Sequence, residues 1–357
     1  MKKIAEGKAK LYVPDESLTK DSETFYNSAM EHQRNVTIAC VRLAGSKDAL
    51  DPLAATGVRG IRLLKEAGVA KVVLNDVSPA AIKLVRRNLV LNKIKKSSYE
   101  ISRKDANELF LEKRRYNFVD IDPFGSPIKF LRSVSYALRK DSLLGVTATD
   151  SGALAGKFAD ACFRRYGVFV CATDFPKELG VRVLITSILK NLATHEMTFE
   201  PLYSHANHYF RVIGRVSYGP DKNVSKIKMV SYCPQCHNRK IGVESVCDNC
   251  KGEMKHIGPI WTGKIHDSEF CKKLLENFEF SGKREIELSA AEIDHPFYYD
   301  LHMLAQSLKT SPPRMEKLIE KLRAKGFEAS RTHLELRAVK TNAGIKAISV
   351  LIAAGKK

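Results

Sequence analysis

The sequence predicts an α/β protein, with a doubly wound and largely parallel sheet followed by an α+β region. Three observations lead there. Short apolar runs alternate with helical periods through the first 150 residues, and three of the runs lead into acids, Asp76, Asp105 and Asp122. A turn of small residues, 54–60, links the first run to its helix. Two Cys-x-x-Cys pairs, ten residues apart, fall beyond residue 230. Alternating strands and helices bury a sheet on both faces with right-handed crossovers, and such sheets bind ligands at the carboxyl ends of their strands.

Residues 1–24 read as an irregular or strand-rich lead-in. Phe25, Tyr26 and Asn27 then precede a helix whose apolar period runs through Val36, Ile38, Ala39, Val41 and Leu43, with Arg34 at or just before its start. Arg34 is suited to a carboxylate or phosphate, and equally to an ordinary surface role. Residues 49–60 read as a strand, a tight turn and a helix from about Arg59. The turn is a degenerate Gly-x-Gly-x-x-Gly with Ala55 in the first glycine's place. Small residues there let backbone approach a ligand at a helix N-terminus, where negative charge is favoured.

Residues 71–76 are a buried-strand pattern ending in Asp76, about 20 residues past the turn, the place of an acid that accepts ribose hydroxyls. Ser78 is a good N-cap and Pro79 a good first helical residue. A strand near 99–102 leads to Asp105 and Ala106, where an acid suits an adenine amine. Residues 116–127 form a fourth strand that ends in Asp122-Pro123-Phe124-Gly125. That ending fits methylation of an exocyclic amine. The lone pair of such a nitrogen is delocalised, so an acceptor that holds its N–H groups orients it at a methyl donor and stabilises the charge that develops. Pro123 stiffens the turn and Phe124 offers a stacking face. A nicotinamide-dependent enzyme shares the first two units but needs neither Asp105 nor the Asp-Pro-Phe ending. Together the four sites point to a Rossmann-like class I S-adenosylmethionine-dependent methyltransferase domain over residues 1–220. Its sheet is completed by a fifth strand, 143–150, and a hairpin, 199–216. His205, His208 and Tyr209 lie between the hairpin strands as substrate contacts or structural hydrogen-bonding groups.

Residues 219–228 read as a linker. Cys233, Cys236, Cys247 and Cys250 have the spacing of a closed, four-thiolate zinc site of structural type. The remaining four cysteines, among eight, are scattered. After a helix at 269–278, the pattern from 299 to 340 is helix, turn, basic helix and hairpin, a winged-helix-like plan. Arg314, Lys317, Lys321, Arg323 and Arg331 are placed there either to dock on a nucleic-acid backbone or as a solvated face. Residues 221–357 form the second predicted domain.

The chain has 59 basic and 40 acidic residues, a net charge of +19, with +12 in residues 1–220 and +7 beyond. Charge spread over both halves suits a polyanion lying across them. No apolar run approaches the roughly 20 residues of a membrane span, and the N-terminus has no secretory pattern, so a cytoplasmic protein is expected.

Assembled, these stretches resemble the archaeal tRNA guanine-26 N2-dimethyltransferases over essentially the whole chain. The likeness rests on Phe25-Tyr26-Asn27 with Arg34, on residues 54–62, on Leu74-Asn75-Asp76, on residues 120–127 and on the cysteine pairs. Ser28 departs from it, since proline is expected after Phe-Tyr-Asn. The resemblance implies two successive methyl transfers to one guanine N2 of tRNA, with no obligate protein partner. It implies that Arg34, Arg59, Asp76, Asp105 and Ala106 bind S-adenosylmethionine, that Asp122 with Pro123 forms the catalytic acceptor, and that Phe124 stacks on the extruded base. Rival readings are an adenine-N6 or other amine methyltransferase, and a non-catalytic nucleic-acid binder built from the zinc and winged-helix parts.

Overall fold

Seven strands form one mixed sheet, numbered here within that sheet: β1 (Asp48–Asp51), β2 (Lys71–Asn75), β3 (Tyr99–Ser102), β4 (Tyr116–Ile121), β5 (Leu138–Ala148), β6 (Met197–Ala206) and β7 (Phe210–Tyr218). The computed structural model describes residues 1–15, 24–219, 223–279 and 283–353. The strand order is β3-β2-β1-β4-β5-β7-β6. The first five strands run parallel, and β7 lies antiparallel between β5 and β6. Strand order reverses between β1 and β4, so a crevice opens at their carboxyl ends. β5 begins at Leu138, five residues before the apolar run that predicts it.

Each sheet face is covered. Val36, Ile61, Val85 and Leu89, from three helices, pack with Leu74, Phe118 and Ile213 on one face. The other face is buried by Phe110, Phe130 and the helix Pro176–Ala193, which supplies Leu179, Val183, Leu184 and Ile188. Ser78 caps the helix Pro79–Leu91 by accepting from the Ala81 N–H.

The chain beyond residue 220 packs into these same cores. Ile227–Tyr232, Arg239–Ile241 and Lys255–Trp261 form an antiparallel three-stranded sheet, and Tyr232, Ile257 and Trp261 join the core around Pro176–Ala193. The predicted linker thus already contains the first residues of a strand; its residues 220–222, like residues 16–23 of the lead-in, lie outside the described residues. Helices Ser268–Asn277 and Arg284–Ala291 place Phe270, Leu274 and Ile286 in the core that holds Val36 and Ile61. Residues 299–353 have a separate core. It holds Leu301, Leu318, Leu322, Val339 and Ile348, from two helices, the paired strands Ala329–Arg331 and Ala338–Thr341, and a closing helix Ile345–Ala353. Of its basic residues, Arg331 pairs with Glu316 and Arg323 donates to the Ala329 carbonyl, while Arg314, Lys317 and Lys321 are exposed.

A buried charge cluster fastens the parts together. Glu178 accepts from Arg182 Nε at 2.8 Å and from the Phe297 and Tyr298 N–H groups at 2.6 and 3.0 Å. Lys340 Nζ lies 2.6 Å from Glu292 and 3.6 Å from Glu178. His333 Nδ1 lies 2.6 Å from Glu292, and its Nε2 lies 3.1 Å from Ser204 Oγ on β6. Burial raises both glutamates, but Lys340, with Arg182 for Glu178 and His333 for Glu292, outweighs it and holds both carboxyls below the usual range.

Candidate active site

The acids at the strand ends converge on one edge of the sheet. Asp51 ends β1, Asp76 follows β2, Asp105 follows β3, and Asp122 follows β4. Gly57 caps the helix Val58–Glu66 in the left-handed region, φ 78°, which sends Arg59 from its first turn toward β4. There the Arg59 guanidinium bridges Asp120 and Asp122, and Nη2 also donates to Gln33 Oε1 at 3.3 Å. Arg211 on β7 reaches across β5 to Asp120 and donates to Thr147 Oγ1 and Thr37 Oγ1 at 2.7 and 2.9 Å. This crossing needs Gly145, since a Cβ there would stand 2.4 Å from Asp120 and 2.7 Å from Arg211. Burial, the largest effect, pushes the Asp51 carboxyl up to about 7; Asp120, Asp122 and Asp76 add to this and Arg59 opposes it.

Asp76 shapes the turn it faces. Its Oδ2 accepts from the Ala55 N–H at 2.9 Å and its Oδ1 from the Ser78 N–H at 2.9 Å. Ala55 has φ 48°, a left-handed conformation unfavourable for a residue with a side chain, so this bond holds a strained position. Asn75, fully buried, donates to the carbonyls of Pro52 and Lys104 at 3.0 Å each and accepts from the Lys104 N–H. It thereby ties the loop after β1 to the loop after β3. Asp105 is exposed and caps the helix Ala106–Leu111 through the Asn107 N–H at 2.8 Å, while Ala106 is buried.

Arg34 lies inside the helix Glu31–Leu43 and is buried. It donates to Glu6 through Nε at 2.8 Å and to the Asn27 carbonyl at 3.0 Å. Arg62 and Tyr26 donate to the same Glu6, each at 2.9 Å. Both predicted cofactor arginines are therefore engaged by protein acids.

Pro123 is buried, whereas Phe124 is 54% exposed, with the Phe25 ring in a T-shaped contact, centroids 4.3 Å apart. Gly125 exchanges hydrogen bonds with Thr149, 2.6 Å to the hydroxyl and 3.0 Å from the Thr149 N–H, so the loops after β4 and β5 are locked together. The Tyr166 hydroxyl donates to Asp150 at 2.6 Å and also faces Ser126, and burial, then Asp150, pushes the phenol up. At the adjoining hairpin, His205 Nδ1 lies 2.8 Å from Glu285 and the Tyr203 hydroxyl donates to Glu285 at 2.7 Å. His205 thus has a structural partner from beyond residue 220.

Asp51, Gln33, Asp120, Asn75 and Arg211 have no role assigned from the sequence, although Asn75 and Asp120 lie in stretches that carry the resemblance. Asp51 and Asp120 carried a signal, an acid within or closing an apolar run. Gln33 and Arg211 carried none, because their partners come from remote segments.

The four cysteine sulfurs gather in one knot at the turn ends of the second sheet, within 4.8 Å of one another. Cys233 and Cys250 sulfurs are 3.4 Å apart, and those of Cys236 and Cys247 3.6 Å. Four thiolates about 2.3 Å from one tetrahedral ion would be separated by roughly 3.8 Å. The donor set and its dimensions therefore fit a closed metal site. His266, Glu292 and His333 also cluster, but Lys340 already sits on Glu292.

The model of the N2,N2-dimethylguanosine tRNA methyltransferase family matches residues 7–353. Relatives include the tRNA (guanine(26)-N(2))-dimethyltransferases of Thermococcus kodakarensis, 33% identical over 95% of this chain and 96% of that protein, and of Methanosphaera stadtmanae, 34% identical over 98% and 96%. The solved complex of Trm1 from Pyrococcus horikoshii with S-adenosyl-L-methionine superposes with a TM-score of 0.89 at 29% identity, covering 99% of this chain and 100% of that one. With its strand-end acids, its Asp-Pro-Phe loop and a match over nearly its full length, the chain belongs to the N2,N2-dimethylguanosine tRNA methyltransferase family.

Proposed function

We propose that this protein transfers methyl groups from S-adenosylmethionine to the exocyclic N2 of guanine 26 in tRNA, twice in succession. The observation that carries the reading is the Asp122 carboxylate, fixed at the β4 carboxyl end by Arg59 beside the exposed face of Phe124. The guanine amine cannot reach a donor from inside a helix, so the base leaves its stack at a cost of a few kcal/mol. Phe124 receives it, and Asp122 accepts from its N–H groups and turns the nitrogen lone pair toward the donor. S-adenosylmethionine, when bound, supplies an electrophilic methyl group on sulfur. Arg59 keeps Asp122 aimed while positive charge grows on nitrogen. The methylated nitrogen releases one proton, to Asp122 or through it to water, so one N–H remains and the same acceptor serves a second transfer.

Asp76 suits the ribose hydroxyls and Asp105, with the buried Ala106, the adenine. One of Arg34 and Arg59 is assigned to the carboxylate end of the donor; protein acids already hold both, Glu6 the first and Asp120 and Asp122 the second, so the donor carboxylate joins that pairing rather than replacing it. Zinc is the metal proposed for Cys233, Cys236, Cys247 and Cys250, in a structural role. Burial pushes the Cys247 thiol up, but N–H groups of Cys250 and Asn249 and the Asn238 amide bring it down to about 6, which favours a ligating thiolate. In this reading residues 1–220 carry the chemistry and 221–357 the tRNA contact, in a cytoplasmic enzyme without an obligate protein partner. Among the described residues, no helix is long and apolar enough to cross a membrane.

Incubation with unmodified tRNA and donor, followed by mass spectrometry of nucleosides, tests the reaction. N2,N2-dimethylguanosine at position 26 is expected, and its absence overturns the assignment. Metal analysis should find one zinc per chain, lost in Cys247→Ser.

A further inference from the structure

The surface beside the catalytic loop carries an aromatic feature that methyl transfer does not use. Phe163 and Phe169 are stacked on one another, ring centroids 4.3 Å apart and planes 19° from parallel, yet they are 48% and 53% exposed. Phe158, 55% exposed, lies close by in sequence and rests on Gly152, where a Cβ would stand 2.6 Å from its ring. Three exposed phenylalanines within twelve residues leave considerable apolar area in water, and such patches mark interaction sites.

Their place in the fold is fixed at both ends. Phe163 lies on the helix Ala159–Tyr166, one turn before Tyr166, whose hydroxyl is bound to Asp150 and faces Ser126 of the catalytic loop. Phe169 exchanges two backbone hydrogen bonds of 2.9 Å with Gly258, in the strand Lys255–Trp261 of the sheet that carries the cysteine knot. The strip therefore lies between a helix tied to the catalytic loop through Tyr166 and the sheet that carries the cysteine knot. Its borders are basic: Lys157 Nζ lies 5.5 Å from the centre of the Phe158 ring, and Arg164, Arg165 and Lys255 are exposed, with Arg165 paired to Asp150. Flat rings flanked by cations match an unpaired nucleotide, whose base stacks on an aromatic face while its phosphate meets Lys or Arg. A protein partner would supply neither negative charge at that spacing nor a flat face by necessity.

We propose that Phe163 and Phe169 form a stacking platform for an unpaired tRNA nucleotide next to the extruded guanine, with Lys157, Arg164 and Lys255 on its phosphates. This rests on the tRNA-methylating reading above. It gives extrusion a structural cost-offset: the neighbour of the flipped base, deprived of its stacking partner, gains a new one on the enzyme.

The test uses the full-length protein and an unmodified tRNA transcript at fixed salt. Phe163→Ala and Phe169→Ala should raise the tRNA Kd and KM by about 10-fold or more, the scale of one lost base–aromatic stack. S-adenosylmethionine affinity and thermal midpoint should not move, and Phe163→Trp should bind as wild type. In tRNA with 2-aminopurine at a position flanking nucleotide 26, the alanine variants should lose the fluorescence change that wild type produces on binding. Unchanged tRNA affinity in both alanine variants overturns the platform. So does a wild-type dimer in sedimentation that these variants dissociate while binding tRNA normally, since the face would then serve self-association. If wild type itself fails to methylate tRNA, the functional reading falls; if wild type methylates and the variants match it, only the platform falls.

Discussion

Two buried charge clusters in this molecule use the same residue types to opposite ends. At the junction of Pro176–Ala193 with the later chain, Glu178 and Glu292 are saturated by Arg182, Lys340, His333 and three backbone N–H groups. Both carboxyls are held low, and the cluster is closed to solvent. At the sheet edge, Asp51, Asp120 and Asp122 crowd around Arg59, Asp76 acts on Asp51 as well, and burial pushes the Asp51 carboxyl up to about 7. That edge also opens to water at Asp122 and Phe124. A cluster with every acid matched fixes parts in place; one with acids in excess keeps a carboxylate available to a cationic transition state.

The largest expected effect breaks the second cluster. Asp122→Ala should lower the methyl-transfer rate by roughly 10²–10³-fold or more, as removal of a charge-stabilising group does, in single-turnover assays. Its tRNA affinity and folding should stay near wild type. Lys340→Met instead attacks the closed cluster and leaves two glutamates without their shared cation. Denaturant unfolding should show a loss of about 3–5 kcal/mol, with donor affinity in the surviving folded protein little changed.

Asp51→Asn sharpens the contrast through pH. The folded carboxyl titrates near 7 and the unfolded one near 4, so between those values the folded chain binds the extra proton. The stabilisation is present below about pH 4, fades as pH rises to about 7, and is flat above. The asparagine variant should lose that slope and gain up to about 4 kcal/mol at pH 8, read from unfolding free energies across pH. The smallest effect comes from an exposed pair. Glu100→Gln removes the 2.8 Å contact to Arg114 and should change stability by less than about 1 kcal/mol.

The sheet was legible because its information is local. Strand runs ended where apolar residues met acids, Ser78 and Pro79 announced a helix, and the Cys-x-x-Cys spacing announced the knot. The site was legible only where an acid followed a strand. Gln33, Arg211 and Glu285 act through partners 64 or more residues away, apart from the 26-residue reach from Gln33 to Arg59, and no periodicity encodes such pairings. Helices escaped too, Ala159–Tyr166 among them. Arg284–Ala291 is short with little apolar period, and Ile345–Ala353 is rich in β-branched residues that suit a strand, until packing on Leu318 and Leu322 decides the matter. Arg34 is held by Glu6, at the end of the strand Lys2–Glu6 that pairs with Ala9–Val13 in an opening hairpin, a partner which sequence order does not suggest.

The helix Arg284–Ala291 also sets the timing of biosynthesis. It covers the sheet face that carries Leu202, Tyr203 and Ile213, and it delivers Glu285 to His205. During translation, at about 5–20 residues per second, the seven strands leave the ribosome several seconds before that cover exists. The nascent chain therefore passes through a stage with a finished sheet, the part of one apolar face around Leu202, Tyr203 and Ile213 still lacking this cover, and a half-assembled edge. Chaperone binding to arrested chains should peak between residues 220 and 290 and fall once the helix has emerged.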